Sequence, residues 1–407
     1  MFRLTAKIAW ASLKRRPSRS ILLVVMIAVS LWGLLFMEGI YDGMTEQMIT
    51  NAIRSDCGHI SLFGKGYRRD PAFSRWLRNS GQLTTFLDKD RRVKSYVTRL
   101  RQDGLVATAH YSRGAVFSGV DLAAEERQAH SAGYLLDGKY SFGNKQRGAI
   151  IGYKLARKLQ VRIGSKIIVS VQDSTGEVSA RPYKVTGILK TNNLVFDENM
   201  VLIAKDTMRS LLAMPSGVSQ VAILVRKEAD VAGLQHDLQT SFSDIDARRW
   251  DELYPALLQS QVIMRGFNLV TNILIFCVAA LGIFGVILVS VLERLHEFGI
   301  MQAIGAPFGQ VRNIVLVESI ILGGTGFCAG SLLGLFTLLY FKIYGLDLSF
   351  FNEALAEIGM DVVTYAVIRP EYFLTALIAV IPAIFFSVLI PLRVLKKTRP
   401  IHAINAV

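Results

Sequence analysis

No nucleotide-binding loop of the G-x-x-x-x-G-K-[ST] type occurs anywhere in the 407 residues. The nearest approach, Gly164-Ser165-Lys166, lacks both a glycine at the required upstream spacing and a following hydroxyl residue. The chain is therefore not expected to hydrolyse ATP by itself. Histidines 59, 110, 130, 236, 296 and 402 are scattered, with no H-E-x-x-H or Cys/His metal spacing, and no G-x-S-x-G turn precedes a helix. No catalytic residue, metal site or resident cofactor is expected. Cysteine is sparse as well: Cys277 and Cys328 lie in apolar runs and only Cys57 lies in the more polar part, so no intrachain disulfide framework is implied. Cys57 is either an unpaired buried thiol or an intermolecular link.

Acidic residues are outnumbered, 32 against 46 lysines and arginines, for a formal charge of +14. Much of the excess sits at the two ends: Arg3, Lys7, Lys14, Arg15, Arg16 and Arg19 precede the first long apolar run, and Arg393, Lys396, Lys397 and Arg399 follow the last. Cations in those places flank membrane spans on the cytoplasmic side. No basic stripe interleaved with aromatics appears elsewhere, so nucleic acid is not expected as a partner.

What the chain has in abundance is apolar sequence, 51% of its residues. Four runs, 21–41, 266–292, 314–341 and 372–392, reach the roughly 20 residues needed to cross a bilayer core. The first has a long basic approach and no A-x-A cleavage site, and so is expected to be retained. An N-terminus rich in cations stays inside, and four spans return the C-terminus to the same side. The fold class expected is an α-helical membrane protein with four transmembrane helices, carrying an α+β extracytoplasmic domain on a helical stalk between helices 1 and 2. By residue, 1–20 form a cytoplasmic amphipathic helix, 42–265 the outer domain with its stalk, 293–313 an inner loop, 342–371 an outer loop and 393–407 a cytoplasmic tail.

Within the outer domain, 166–171 and 180–189 bracket Asp173-Ser174-Thr175-Gly176 as a hairpin. Strand-then-helix units are expected at 149–151 with 153–159, at 200–204 with 206–214, and at 218–225 with 231–242. Residues 42–54 and 250–265 carry helical periodicity continuous with the first two spans, the pattern of a paired stalk.

The inner loop is the most informative stretch. Glu293 and Arg294 leave the membrane as a mixed-charge turn, and a short helix follows with Phe298, Met301 and Ile304 at three-residue spacing, ending at Gly305 before Pro307. A helix this short and apolar calls for a partner groove. In the third span Gly326, Gly330 and Gly334, with Gly323 one turn earlier, form a ridge of small residues that permits close helix approach, either within one chain or between two. Glu38 and Glu318 are intramembrane acids expected to face protein or a cavity, or to snorkel toward the headgroups.

The string E-R-x-x-E-F-G-x-x-x-A-x-G-A over 293–306 resembles the signature of the MacB/FtsX-like permeases, ABC transporter subunits of the mechanotransmission class that include the lipoprotein-releasing permeases. The resemblance extends to Gly148-Ala149-Ile150-Ile151-Gly152, to Leu155-Ala156 and Leu159, to Gly164 with Lys166, and to the closing Arg399-Pro400-Ile401 with Ala403. Met301 and Gln302 depart from it where many members carry an arginine. The resemblance implies that Glu293, Arg294, Glu297, Phe298, Gly299, Met301, Ala303, Gly305 and Ala306 form a coupling helix seated in a cytoplasmic ABC ATPase subunit. ATP and Mg would be bound by that partner. It further implies a second permease copy or paralogue, a periplasmic chaperone or adaptor, contact with membrane lipid, and a multi-pass place in the inner membrane. Lipoprotein release or handling of another hydrophobic substrate is the favoured activity. The alternatives are MacB-like export of drugs or peptides and an FtsX-like scaffold regulating cell-wall hydrolases.

Overall fold

The computed structural model describes residues 17–78, 80–214, 216–352, 354–355 and 360–397. The amphipathic start at 2–13 and the closing motif at Arg399, Pro400, Ile401 and Ala403 lie outside the described residues. The chain divides into two compact units. One is helical and takes the described residues of Met1–Thr45, Gln261–Leu348 and Val363–Val407; the other is mixed α/β and takes Glu46–Ser260 and Ser349–Val362.

The α/β unit contains two sheets that share one long strand. Strand β1 (Ile60–Gly64) is followed by helix α2 (Ser80–Lys89) and β2 (Val93–Ala107); much later come β9 (Gln220–Val225), α7 (Val231–Ser241) and β10 (Ile245–Arg249). β1 pairs antiparallel with both β10 and β9, and β9 pairs antiparallel with the first half of β2, giving the order β10-β1-β9-β2. Two β-α-β units interleaved in this order make a ferredoxin-like split sheet.

The second half of β2 opens an insertion. It pairs with β3 (Ser112–Val120), which runs parallel to β8 (Met200–Ala204). β8 pairs with β5 (Gly148–Gly152), β5 with β7 (Val178–Leu189), β7 with β6 (Lys166–Gln172), and β6 returns to β2. The ring is closed, which leaves these strands no free edge along its path. A short β4 (Leu135–Gly138) adds to β7. Between these strands lie α3 (Leu122–Ala129), α4 (Tyr153–Leu159), α5 (Leu194–Asn199) and α6 (Lys205–Leu211).

Why β5 and β8 read as unbroken apolar runs is evident from their packing. Ile151, Val201 and Ile203 enter one buried cluster with Phe117, and Ile150 and Leu202 enter another with Phe142 and Leu189. Strands buried on both faces need no polar alternation. The β6–β7 hairpin is closed by Asp173, whose carboxylate accepts from the Thr175 amide at 2.9 Å, the Thr175 hydroxyl at 2.6 Å and the Glu177 amide at 3.1 Å, while Gly176 takes φ 92°. That is the Asx-plus-glycine chemistry of a tight turn.

Charge is also buried in this unit. Arg99 donates two hydrogen bonds to Glu125, each at 2.6 Å, and Asp56 accepts from Tyr254 and pairs with Arg101. Nearby, the Asp197 carboxylate accepts from the Thr191 amide at 2.9 Å, the Thr191 hydroxyl at 2.8 Å and the Asn192 amide at 3.0 Å, fixing the turn before α5. Cys57 is a free thiol, buried, with burial raising its pKa to about 12.

The helical unit is built from long elements: α1 (Pro17–Ala52), continued by a π turn at Ile53–Cys57, α9 (Pro255–Glu293), α11 (Phe308–Tyr344) and α12 (Pro370–Lys397), with a short α10 (Leu295–Ala303) between α9 and α11. The four-residue α8 (Trp250–Leu253) breaks from α9 at Tyr254, so the helical periodicity expected over 250–265 is two helices and not one. α1 and α9 are divided between the two units, at Thr45 and at Gln261 respectively. Among the described residues three helices, Ser20–Cys57, Pro255–Val278 and Phe308–Tyr344, are long and apolar enough to cross a membrane; Pro370–Phe386 is a shorter apolar helix. Four spans were expected, and by this measure three are present.

The glycine ridge of α11 packs within the chain. A Cβ on Gly326 would lie 2.8 Å from Ile27, one on Gly330 would lie 2.7 Å from the Ala28 carbonyl, and one on Gly334 would lie 2.6 Å from Leu35. Gly323 meets Ile384 of α12 in the same way. The small residues therefore admit α1 at backbone distance, the close approach that lets helices associate without a hydrophobic driving force.

Candidate coupling segment

α10 begins where Arg294 leaves the helical geometry of α9, with φ −98° and ψ 9°. It ends in a Schellman motif. Gly305 takes φ 103°, its amide donates to the Gln302 carbonyl at 3.0 Å, and the Ala306 amide reaches back to the Met301 carbonyl at 3.0 Å. Only glycine takes that backbone conformation without strain. Pro307 then opens α11 with its ring-fixed φ of −67°.

Two side chains hold α10 in place. Phe298 is 1% exposed and sits among Leu23 and Ile27 of α1, Ile287 and Val291 of α9, Val311, Val315 and Leu322 of α11, and Val388 and Leu392 of α12. Arg294 extends its Nη1 to a Glu318 carboxylate oxygen at 2.8 Å, approaches Glu297 at 3.3 Å through Nε, and lays its guanidinium over the Phe298 ring at 4.9 Å. The Arg294 and Glu318 side chains are 12% and 14% exposed. One residue supplies an apolar anchor and the other a shielded ionic one.

The expected residues accordingly separate by role. Phe298 and Gly299 are buried and Met301 packs against the same core, so the Phe298–Met301 side, for which the sequence predicts a partner groove, is filled by the chain's own helices. Glu293, Glu297, Ala303 and Gly305 are exposed and Ala306 is half-buried. The outward face is completed by two residues that spacing from Phe298 had assigned differently or not at all. Ile304, grouped with Phe298 on sequence, is 82% exposed, and Ile300 is 41% exposed. Glu297, Ile300 and Ile304 recur at the spacing that puts residues on one helical face.

Glu318 was legible as an intramembrane acid but not as the partner of Arg294. The signal available was an arginine at the end of one span and a lone acid in the next. Glu38, the other such acid, accepts a hydrogen bond from Asn272 of α9.

Comparison with known proteins bears on the whole arrangement. Residues 20–241 match the MacB-like periplasmic core domain, more than half of the chain, and residues 269–400 match the FtsX-like permease C-terminal region.

The chain belongs to the MacB/FtsX-like permease family.

This permease is 25% identical over 215 residues to an uncharacterized ABC transporter permease of Methanocaldococcus jannaschii, covering 49% of this chain and 50% of that one. It is 18% identical over 315 residues to LolE, the lipoprotein-releasing system transmembrane protein of Haemophilus influenzae, covering 76% of this chain and 74% of that one. To the macrolide export ATP-binding/permease protein MacB 1 of Aeromonas hydrophila it is 24% identical over 233 residues, 55% of this chain and 34% of that one. The permease thus spans about half of the first of these relatives and a third of the last.

Proposed function

We propose that this chain is the permease subunit of an ABC transporter whose ATPase is a separate polypeptide, and that the ATPase docks on the outward face of α10. The observation that carries this reading is the pairing of exposure with anchorage: Ile304 and Ile300 are presented to a partner on a helix that Phe298 and the Arg294–Glu318 pair fix to the membrane bundle. An element so held moves with the bundle when pushed. ATP and Mg belong to the partner, and this chain supplies the groove-filling helix.

In this reading α12 is the fourth span, the basic ends lie in the cytoplasm, and the α/β unit lies outside, joined to the spans through α1 and α9. Two permease copies, or one copy and a paralogue, work together in the inner membrane. The favoured substrate is a lipoprotein or another hydrophobic molecule taken from the outer leaflet, because the match to LolE covers about three quarters of both chains while that to MacB 1 covers a third of the latter. Export of a macrolide-like drug or a peptide is the alternative.

Co-purification with a co-expressed ABC ATPase subunit tests the docking face. Ile304→Glu should abolish the complex while leaving the permease folded in detergent, and a complex of undiminished yield and ATPase rate would sink the assignment. In nanodiscs, stimulation of hydrolysis by a triacylated lipopeptide and not by erythromycin supports lipoprotein release; the reverse supports export.

A further inference from the structure

The ferredoxin-like sheet of the α/β unit ends on a strand with one unpaired side. Val93 and Ser95–Arg99 of β2 pair with β9 alone, with the register shifting at Lys94 between them, and the pairing of β2 with β3 begins only at Leu100. Six consecutive residues, Val93 to Thr98, instead line an open groove of about 770 Å³, bounded by α3 on one side and the α2–β2 turn on the other. An edge of six residues offers roughly 20 Å of backbone hydrogen-bonding groups to an added strand. Groups of that kind are a template for another chain.

The side chains around this edge select what can be added. The acids of the groove are already committed: Asp88 accepts from Tyr96 at 2.9 Å, Asp90 is held by Arg92 at 2.7 Å, Asp121 caps α3 through the Ala123 amide at 2.9 Å, and Glu125 is paired with Arg99. The cations are not committed in the same way. Lys94, Arg127 and Arg226 line the groove, are exposed, and have no ion-pair partner among the described residues. Lys205, half-buried in the wall, donates to the Thr98 hydroxyl. A second copy of this edge would set Lys94 and its neighbours against their own kind, and like charges across strands are destabilising.

We propose that the free edge of β2 is a docking site for an extended acidic segment of a partner polypeptide, which adds as a fifth strand to the β10-β1-β9-β2 sheet with its carboxylates facing Lys94, Arg127 and Arg226. Backbone pairing supplies the affinity and the cations set the sign of the partner. The site lies in the α/β unit and involves neither α10 nor the ATPase.

The test uses the full-length permease in nanodiscs and a fluorescein-labelled probe peptide, acetyl-Thr-Glu-Val-Glu-Val-Asp-Thr-amide, followed by anisotropy. Saturable binding is expected, with loss on N-methylation of alternate residues, at least a tenfold loss for the charge-reversed double variant K94E/R226E, and new amide-exchange protection over residues 93–98. Binding that survives N-methylation would reduce the site to charge alone and overturn strand addition. Equal binding by the lysine-containing counterpart of the peptide, protection confined to other strands, or no binding at millimolar peptide would each overturn the proposal. Exchange protection reads the wild-type protein, so the outcome does not depend on either variant folding.

Discussion

Arg294, at the junction of α9 and α10, meets Glu318 of α11 at 2.8 Å, twenty-four residues apart in sequence, with both side chains largely shielded from solvent. Breaking a shielded pair by removing one partner leaves the other charge unsatisfied, which costs about 3–5 kcal/mol, whereas replacing both by apolar residues is often near neutral. We expect Arg294→Met and Glu318→Leu each to lower the thermal midpoint in nanodiscs and the double variant to recover most of the loss. Additive losses would show that the pair does not act as a unit.

Phe298→Ala should destabilise the helical unit by about 3–5 kcal/mol, because the ring is buried among four long helices and its removal leaves a cavity. Ile304→Glu, on the opposite face, should fall within about 0.5 kcal/mol of the parent. Thermal denaturation of the two variants side by side measures the contrast.

Glycines in α11 should respond to alanine according to what stands opposite them. Gly330→Ala meets the Ala28 backbone and should loosen the packing of α1 on α11, lowering the thermal midpoint. Gly324→Ala, with open space around it, should be neutral or stabilising by up to about 1 kcal/mol through helix propensity. A thermal scan of both variants decides it.

Asp197 makes the α/β unit sensitive to pH. Burial pushes its carboxyl up to about 6, outweighing the hydrogen bonds it accepts from Thr191 and Asn192. A carboxyl whose folded pKa is raised binds its proton more tightly when folded, so its contribution is fully present below the unfolded value near 3.8 and is lost as pH rises to about 6. Unfolding free energy should therefore fall across that interval through this group. Asp197→Asn should remove that component from a urea-denaturation series over pH 4–7. At pH 7, where the parent carboxylate accepts from Thr191 and Asn192, it should also cost about 1–3 kcal/mol, because an amide NH₂ would then face a backbone N–H donor.

Some elements were legible because local chemistry decides them. The β6–β7 hairpin follows from Asp173 and Gly176, helix α4 appears at the expected 153–159, and β8 at the expected 200–204. Others were not. β2 mixes Lys94, Arg99, Arg101 and Asp103 with apolar residues because it leaves one sheet and enters another midway, so no single period of two survives along it. The short β4 and the insertion's closure into a ring likewise have no local signature, since a strand's partner is a property of distant sequence.

By itself the sequence determined the family, through the 293–306 signature, the long apolar runs, and the place where a short helix must end, at Gly305. These are decided by hydropathy and by backbone conformations open to few residue types. Only the tertiary structure decided which face of that helix is free. Phe298 and Ile304 are both apolar and lie within two turns of one another, yet one is enclosed by four long helices and the other is left bare. The physical reason is that burial depends on what packs against a residue, and the packing partners of Phe298 come from positions as far apart as Leu23 and Leu392. The same reason hid the glycine ridge's partner in α1 and the open edge of β2.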